Sequence, residues 1–180
     1  YLLGTFLAGV AAARCVAGDA ETLSYYLNCW QSLFSVQDAA GAVCLFRAEF
    51  FTVAGALTAV LFLGLSALGP LPIFLFTMLY GTGSGLLSSR LLVDLNPRTA
   101  FVLLCVCGIP ASLAAGTLCT FGASALQVSG RLCSAALGRG GQAPSTGALL
   151  GQFARMLFLL LPLCGAAVGM LYLAGQAKLI

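Results

Sequence analysis

Between Glu49 and Arg90 the chain carries no charged residue, and that uncharged run is forty residues long. A stretch of this length and apolarity cannot be the interior of a small soluble domain. It is twice the length of about 20 residues that an α-helix needs to cross a bilayer. The rest of the sequence repeats the pattern. Of its 180 residues, 61% are hydrophobic and 7% charged, against roughly 25% charged in an ordinary soluble domain. The mean hydropathy is +1.05. In lipid the backbone must satisfy its own hydrogen bonds within the segment that crosses. These features predict an all-α, polytopic membrane helical bundle of about five transmembrane helices plus an external amphipathic helix, in a single integral membrane domain.

Two prolines interrupt the uncharged run. In Gly69-Pro70-Leu71-Pro72, the residue before each proline is disfavoured in the helical region, and neither proline can donate an N–H. The run therefore reads as two antiparallel spans, 50–68 and 72–89, joined by a tight turn at 69–72. Gly81 and Gly85 in the second of them form a G-x-x-x-G step suited to close helix packing. No strand precedes the glycines, so a nucleotide-binding loop is rejected.

A first span is expected over 1–18, with Gly4, Ala8 and Ala12 spaced four apart as a small-residue stripe. The external segment 19–49 follows. Within it Leu23, Tyr26, Leu27, Trp30, Leu33 and Phe34 keep helical spacing, which marks an amphipathic helix lying at the membrane surface. Tyr25, Tyr26 and Trp30 suit the headgroup layer. No Lys or Arg lines its polar face, so attraction to anionic lipid is weak, and the helix either covers the bundle or meets a protein partner. Asp38 is placed to cap the helix that enters the second span. Arg47 and Glu49 are expected near the point where that helix enters the membrane, two residues apart and so not facing each other.

The connector 90–98, with Asp94 and Asn96-Pro97, is the most polar part of the central region. The fourth segment, 99–130, is long and is expected to be interrupted at 108–110, at Pro110, either broken into a half-helix and a full helix or kinked as one structural helix. Beyond the break Ser112, Gly116, Thr120 and Ser124 recur every four residues, a small-polar ridge expected to pack in the bundle centre. The stretch 131–155 reads as a linker; its Arg131, Arg139 and Arg155 without an acid place it on the cytoplasmic side. The last span, 156–174, contains Pro162 and a second G-x-x-x-G step, Gly165 and Gly169. Counting outward from the linker puts 90–98 and 19–49 outside and the N-terminus inside. The acids of 19–49 agree with this; the two arginines of 90–98 do not.

The chemistry that is missing narrows the function. The chain has no histidine, which removes Ser-His and Cys-His catalysis and His-ligated metals. Its eight basic residues are scattered singly, which leaves no footprint for nucleic acid. Of the eight cysteines, Cys105, Cys107, Cys119, Cys133 and Cys164 lie in apolar segments and read as small hydrophobes. Cys29 and Cys44 are the pair expected near water, where a disulfide is the minor reading. No enzyme, cofactor or metal site is expected.

The order of features is similar to the stage II sporulation protein M family. A first span leads to the external "LSYYLNCWQSLFSV", then to "LFRAEFFTVAGALTAVLFLGLSALGPLPIFLFTMLYGTGSGLLSSRLL". Gly64, Ser66, Gly69 and Pro72 match the family's turn-and-span pattern, Gly81 and Gly85 its glycine-rich third helix, and Pro110 its later proline followed by a small-residue helix. The resemblance covers about residues 20–130. The Cys- and Ala-rich composition and the long glycine-rich 131–155 stretch depart from it. It implies a non-enzymatic scaffold in the septal or engulfing membrane of an endospore former, anchoring peptidoglycan-remodelling proteins of the stage II sporulation D and P type. The surface expected to meet partners is Tyr25, Tyr26, Trp30, Glu49 and Asp94. Gly64, Ser66, Gly69, Pro72, Gly81, Gly85, Pro110, Gly116, Gly165 and Gly169 are expected to pack helices. The two G-x-x-x-G steps serve internal packing or a homo-oligomer, and membrane lipid surrounds the whole. The rival expectation is a transporter or channel component whose path is lined by the broken fourth helix. It calls for an unpaired polar group at mid-membrane, and none is expected.

Overall fold

The structure, a computed structural model, describes residues 1–15, 25, 29, 38–66, 68–94, 97–137 and 146–176. Five long helices account for nearly all of them: α1 (Leu2–Cys15), α2 (Ala39–Gly64), α3 (Pro70–Asp94), α4 (Pro97–Ala136) and α5 (Thr146–Gln176). No strand occurs among the described residues. Four segments are long and apolar enough to cross a membrane: Ala39–Gly64, Pro70–Ser89, Leu104–Ala136 and Thr146–Ala174. The chain is thus a multi-pass, all-α membrane protein. The amphipathic segment expected over 19–37 falls almost wholly outside the described residues.

The turn between α2 and α3 comes earlier than the prolines suggest. It occupies 65–69, and α3 starts on Pro70. Pro70 and Pro72 sit in the first helical turn, where the N–H that proline lacks would have had no intrahelical partner. The prolines therefore start a helix here instead of forming the turn. Ser66 organises the reversal. Its carbonyl accepts from Gly69 N–H at 3.1 Å, and from Ser129 Oγ of α4 at 2.5 Å. Its own Oγ accepts from Leu68 N–H at 3.3 Å. Ser129 is fully buried, so this one hydroxyl ties the α2–α3 turn to α4.

Contacts fix the directions of the helices. Towards one end, Ala56, Leu57 and Val60 of α2 pack with Ile73 of α3, Leu118, Phe121 and Ala125 of α4, and Leu149 of α5. In the middle, Val53 meets Ala114, Leu160 and Cys164. Towards the other end, Leu45 meets Val168 and Leu171, flanked by Leu87 and Val106. Thus α2 and α4 run one way and α3 and α5 the other. Helix α1 lies against α3 and runs parallel to it. Gly4 backs onto Met78 and Thr82, and Gly81 onto the Tyr1 backbone; a Cβ on Gly85 would stand 2.8 Å from that of Ala8. Small residues on both helices let the two backbones touch, which is how helices gain dispersion contact where lipid removes the hydrophobic drive.

Several boundaries differ from the sequence reading. Helix α2 begins at Ala39, so the second span reaches well into the segment expected to be external. Asp38 stands at its N-cap with extended backbone but makes no side-chain cap bond. Helix α4 is continuous from Pro97 to Ala136, with Pro110 inside it; the break expected at 108–110 is absent. Loss of one backbone bond costs less in lipid than opening a whole turn whose groups water cannot reach. The stretch 131–155 is mostly helix, the end of α4 and the start of α5, with only 138–145 left between them outside the described residues.

Candidate functional site in the middle of the membrane

The revised start of α2 changes the setting of its one acid. Glu49 is the eleventh of the 26 residues of α2, about 15 Å along the axis from its first residue at 1.5 Å per residue. It is the only Asp or Glu in the four membrane-length segments. Four residues to either side, Leu45 and Val53 are buried against α5. Residues four apart share a helix face, so Glu49 lies on the same face, towards α5. It is half-buried, and it makes no hydrogen bond or ion pair among the described residues. Arg47 is exposed and points elsewhere, two positions away.

Two groups from other helices come within electrostatic reach of the Glu49 carboxylate. They are the Tyr80 phenol of α3 and the Cys164 thiol of α5. The Tyr80 ring in turn lies tilted against that of Tyr1, with ring centroids 6.4 Å apart. The Tyr1 hydroxyl shares a 3.0 Å hydrogen bond with Ser84. Phe46 and Phe50 flank the carboxylate along α2, stacked on each other at 6.0 Å. The result is a small polar layer across the middle of an apolar bundle. Ionisable groups at such depth are expensive, and where they persist they pair with something or mark a pathway. No cluster of three His, Cys, Asp or Glu suited to a metal occurs among the described residues.

Beside this layer, an open groove of about 340 Å³ between α2 and α5 is lined by Ala42, Val43, Phe46, Gly165, Val168, Gly169 and Tyr172. Nothing lies within 4 Å of where a Cβ on Gly165 or Gly169 would be. Among the described residues these glycines therefore pack against no helix, where internal packing or self-association was expected. The same holds for Gly116, whose Cβ would also meet nothing. The ridge it belongs to faces outward: Ser112 and Thr120 are exposed and Ser124 half-exposed. Each hydroxyl donates to a carbonyl of its own helix, Ser112 to Ile109 at 2.7 Å and Thr120 to Gly116 at 3.0 Å. Being satisfied locally, they need no partner in the core. The opposite face of α4, with Leu118, Phe121 and Ala125, fills it instead.

The remaining candidates divide clearly. Gly64 is buried where a Cβ would come within 2.7 Å of that of Ala125, and Gly69 is wedged between the Leu63 carbonyl and Ser129. Gly81 is buried and Gly85 half-buried against α1, and Pro110 is buried on α4. Tyr25 is exposed. Tyr26 and Trp30 lie outside the described residues, and Asp94 is the last residue of α3. Glu49 does not belong with them on an external surface; the length of α2 carries it into the span. Tyr80 and Cys164 were not singled out from the sequence. The signal for the layer was the Asp38 cap position, which counts Glu49 eleven residues into a helix. Comparison of the chain with protein-family models, with curated proteins and with solved structures finds no match.

Proposed function

We propose that the chain is a non-enzymatic membrane scaffold that seats partner proteins against its helices. The observation that carries this reading is the groove between α2 and α5. Gly165 and Gly169 line it with nothing within 4 Å of their Cβ positions among the described residues, and such steps suit the close approach of another transmembrane helix. The specific form of the proposal rests on the motif order described above. Its partners are then peptidoglycan-remodelling proteins of the stage II sporulation D and P type, held at the septal or engulfing membrane through the groove and the external segment with Tyr25, Tyr26 and Trp30. The test is affinity purification of the detergent-solubilised protein from sporulating cells. Recovery of peptidoglycan-remodelling enzymes, reduced at least about tenfold by Trp30→Ala or Asp94→Ala in a protein that still inserts, is the expected result. Recovery of an ATPase or a solute-binding protein in their place overturns it.

A second reading, a transporter or channel component, is favoured by one observation. Glu49 is an unpaired carboxylate near the middle of a span, where coupling ions bind in many transporters. It predicts solute or proton flux in liposomes that Glu49→Gln abolishes.

A further inference from the structure

The charged residues of the four membrane-length segments are Arg47, Glu49, Arg131 and Arg155. Arg47 and Arg155 are exposed, and neither makes a hydrogen bond or ion pair among the described residues. Each stands in an apolar, outward-facing stripe, since residues three or four apart share a helix face. Val43 and Phe51, four residues to either side of Arg47, are 60% and 65% exposed. Beside Arg155, Phe158 is 78% exposed, and a Cβ on Gly151 would meet nothing within 4 Å. A cation on a lipid-facing stripe is costly and takes its counter-charge from its surroundings.

Helix geometry sends the two side chains to opposite surfaces. Cα–Cβ bonds tilt towards a helix's N-terminus, so Arg47 leans towards the start of α2 and Arg155 towards the start of α5, and these helices are antiparallel. Their depths follow from the middle of the bundle, where Val53 packs with Ala114, Leu160 and Cys164. Arg47 is six residues from Val53, about 9 Å along the axis. Arg155 is seven residues from the midpoint of Leu160 and Cys164, about 10 Å in the other direction. The two Cα atoms therefore lie about 20 Å apart along the normal, and a hydrocarbon core of about 30 Å leaves each guanidinium about 5 Å to climb. An arginine side chain spans that gap, burying its stem and holding its head at the interface. Arg131, seventeen residues past Ala114, is about 25 Å from the middle and so already beyond the boundary.

We propose that Arg47 and Arg155 bind the phosphates of anionic phospholipids, one in each leaflet, and together set the height of the bundle in the bilayer. The inference goes beyond the scaffold reading and stands independently of it. Charge and depth select the ligand. Phosphate is the anion that every bilayer carries at the level the two guanidiniums reach, and an anionic lipid brings it without a competing cation. A second copy does not supply it. A closed dimer in a membrane has its two-fold along the normal, which puts Arg47 level with Arg47 and Arg155 level with Arg155. The acid near that depth, Glu49, is on the α2 face turned towards α5.

The test uses the full chain in phosphatidylcholine vesicles containing a trace of phosphatidylglycerol or phosphatidylcholine, each with the same photoreactive group near the top of one acyl chain. Labelled peptides are read by mass spectrometry. Phosphatidylglycerol is expected to label both 43–51 and 151–159 about fivefold more than phosphatidylcholine. Arg47→Gln should bring the first segment to within about twofold and leave the second unchanged; Arg155→Gln should do the reverse. Arg47→Lys, which keeps a long cationic side chain, should retain most of the preference. Equal labelling by the two lipids overturns the proposal, as does a preference that survives both glutamine substitutions. Loss of both preferences from one substitution overturns the assignment of one arginine to each leaflet. Displacement of the lipid by inorganic phosphate in the buffer overturns the lipid as ligand, and so does cross-linking of two copies through these segments in place of lipid.

Discussion

A single hydroxyl and a single hydrogen side chain hold the α2–α3 reversal. Ser129 reaches from α4 to the Ser66 carbonyl at 2.5 Å, and Gly69 leaves room for it, since a Cβ there would stand 2.5 Å from Ser129 Oγ and against the Leu63 carbonyl. Gly69→Ala must therefore move backbone, at a cost of about 1–3 kcal/mol. Ser129→Ala should cost less, about 1 kcal/mol, because the Ser66 carbonyl keeps its bond from Gly69 N–H. Thermal unfolding in detergent should rank the variants wild type, Ser129→Ala, Gly69→Ala. The double variant should stay as unstable as Gly69→Ala, because the Leu63 carbonyl still blocks the methyl; full rescue would mean that Ser129 alone sets the strain. At this scale the sequence was partly legible. Gly-Pro-x-Pro announced a reversal, but not on which side of Pro70 it lies. That is settled by whether proline's missing N–H falls in a turn or in a first helical turn, and both are permitted locally.

Between elements, what decides packing is which face a small residue occupies. Gly4 of α1 meets Met78 and Thr82 of α3, and Gly81 and Gly85 of α3 meet Tyr1 and Thr5–Ala8 of α1, whereas Gly83 between them has nothing within 4 Å. Gly85→Leu should push α1 from α3, lower the unfolding temperature by several degrees and expose α1 to protease. Gly83→Leu, on the open side, should do neither, and equal effects from the two would remove α1–α3 contact as the cause. The four-residue spacing of these glycines was plain in the sequence, and so was that of Gly165 and Gly169. Spacing alone does not say whether the second helix belongs to the same chain, and among the described residues one pair is covered and the other is not. Helix α4 shows a different limit. A proline and a row of hydroxyls read as a break and an inner ridge, but lipid penalises opened backbone more than a missing N–H. Hydroxyls that bond their own helix need no interior position, and so the bulky Leu118 and Phe121 take the core.

For the whole molecule, direction along the membrane normal couples every loop to one side. Because α2 and α4 run together and α3 and α5 against them, the 65–69 turn and the α4–α5 connection share a side. Asp38, the 94–97 connection and the end of α5 share the other. We propose that the α4–α5 side, with Arg131, Arg139 and Arg155 at or beside it, is cytoplasmic, although Arg90 and Arg98 flank the opposite side. On that orientation Ala42 and Tyr172, two of the groove's lining residues, lie in the outer half of the membrane, near the start of α2 and the end of α5. Alkaline phosphatase fused after Gln176 should be active, and a fusion after Leu137 inactive, with a cytoplasmic fluorescent reporter giving the opposite pattern. If the two fusions exchange activities, the bundle is inverted. Ala42 and Tyr172 would then lie in the cytoplasmic half of the membrane.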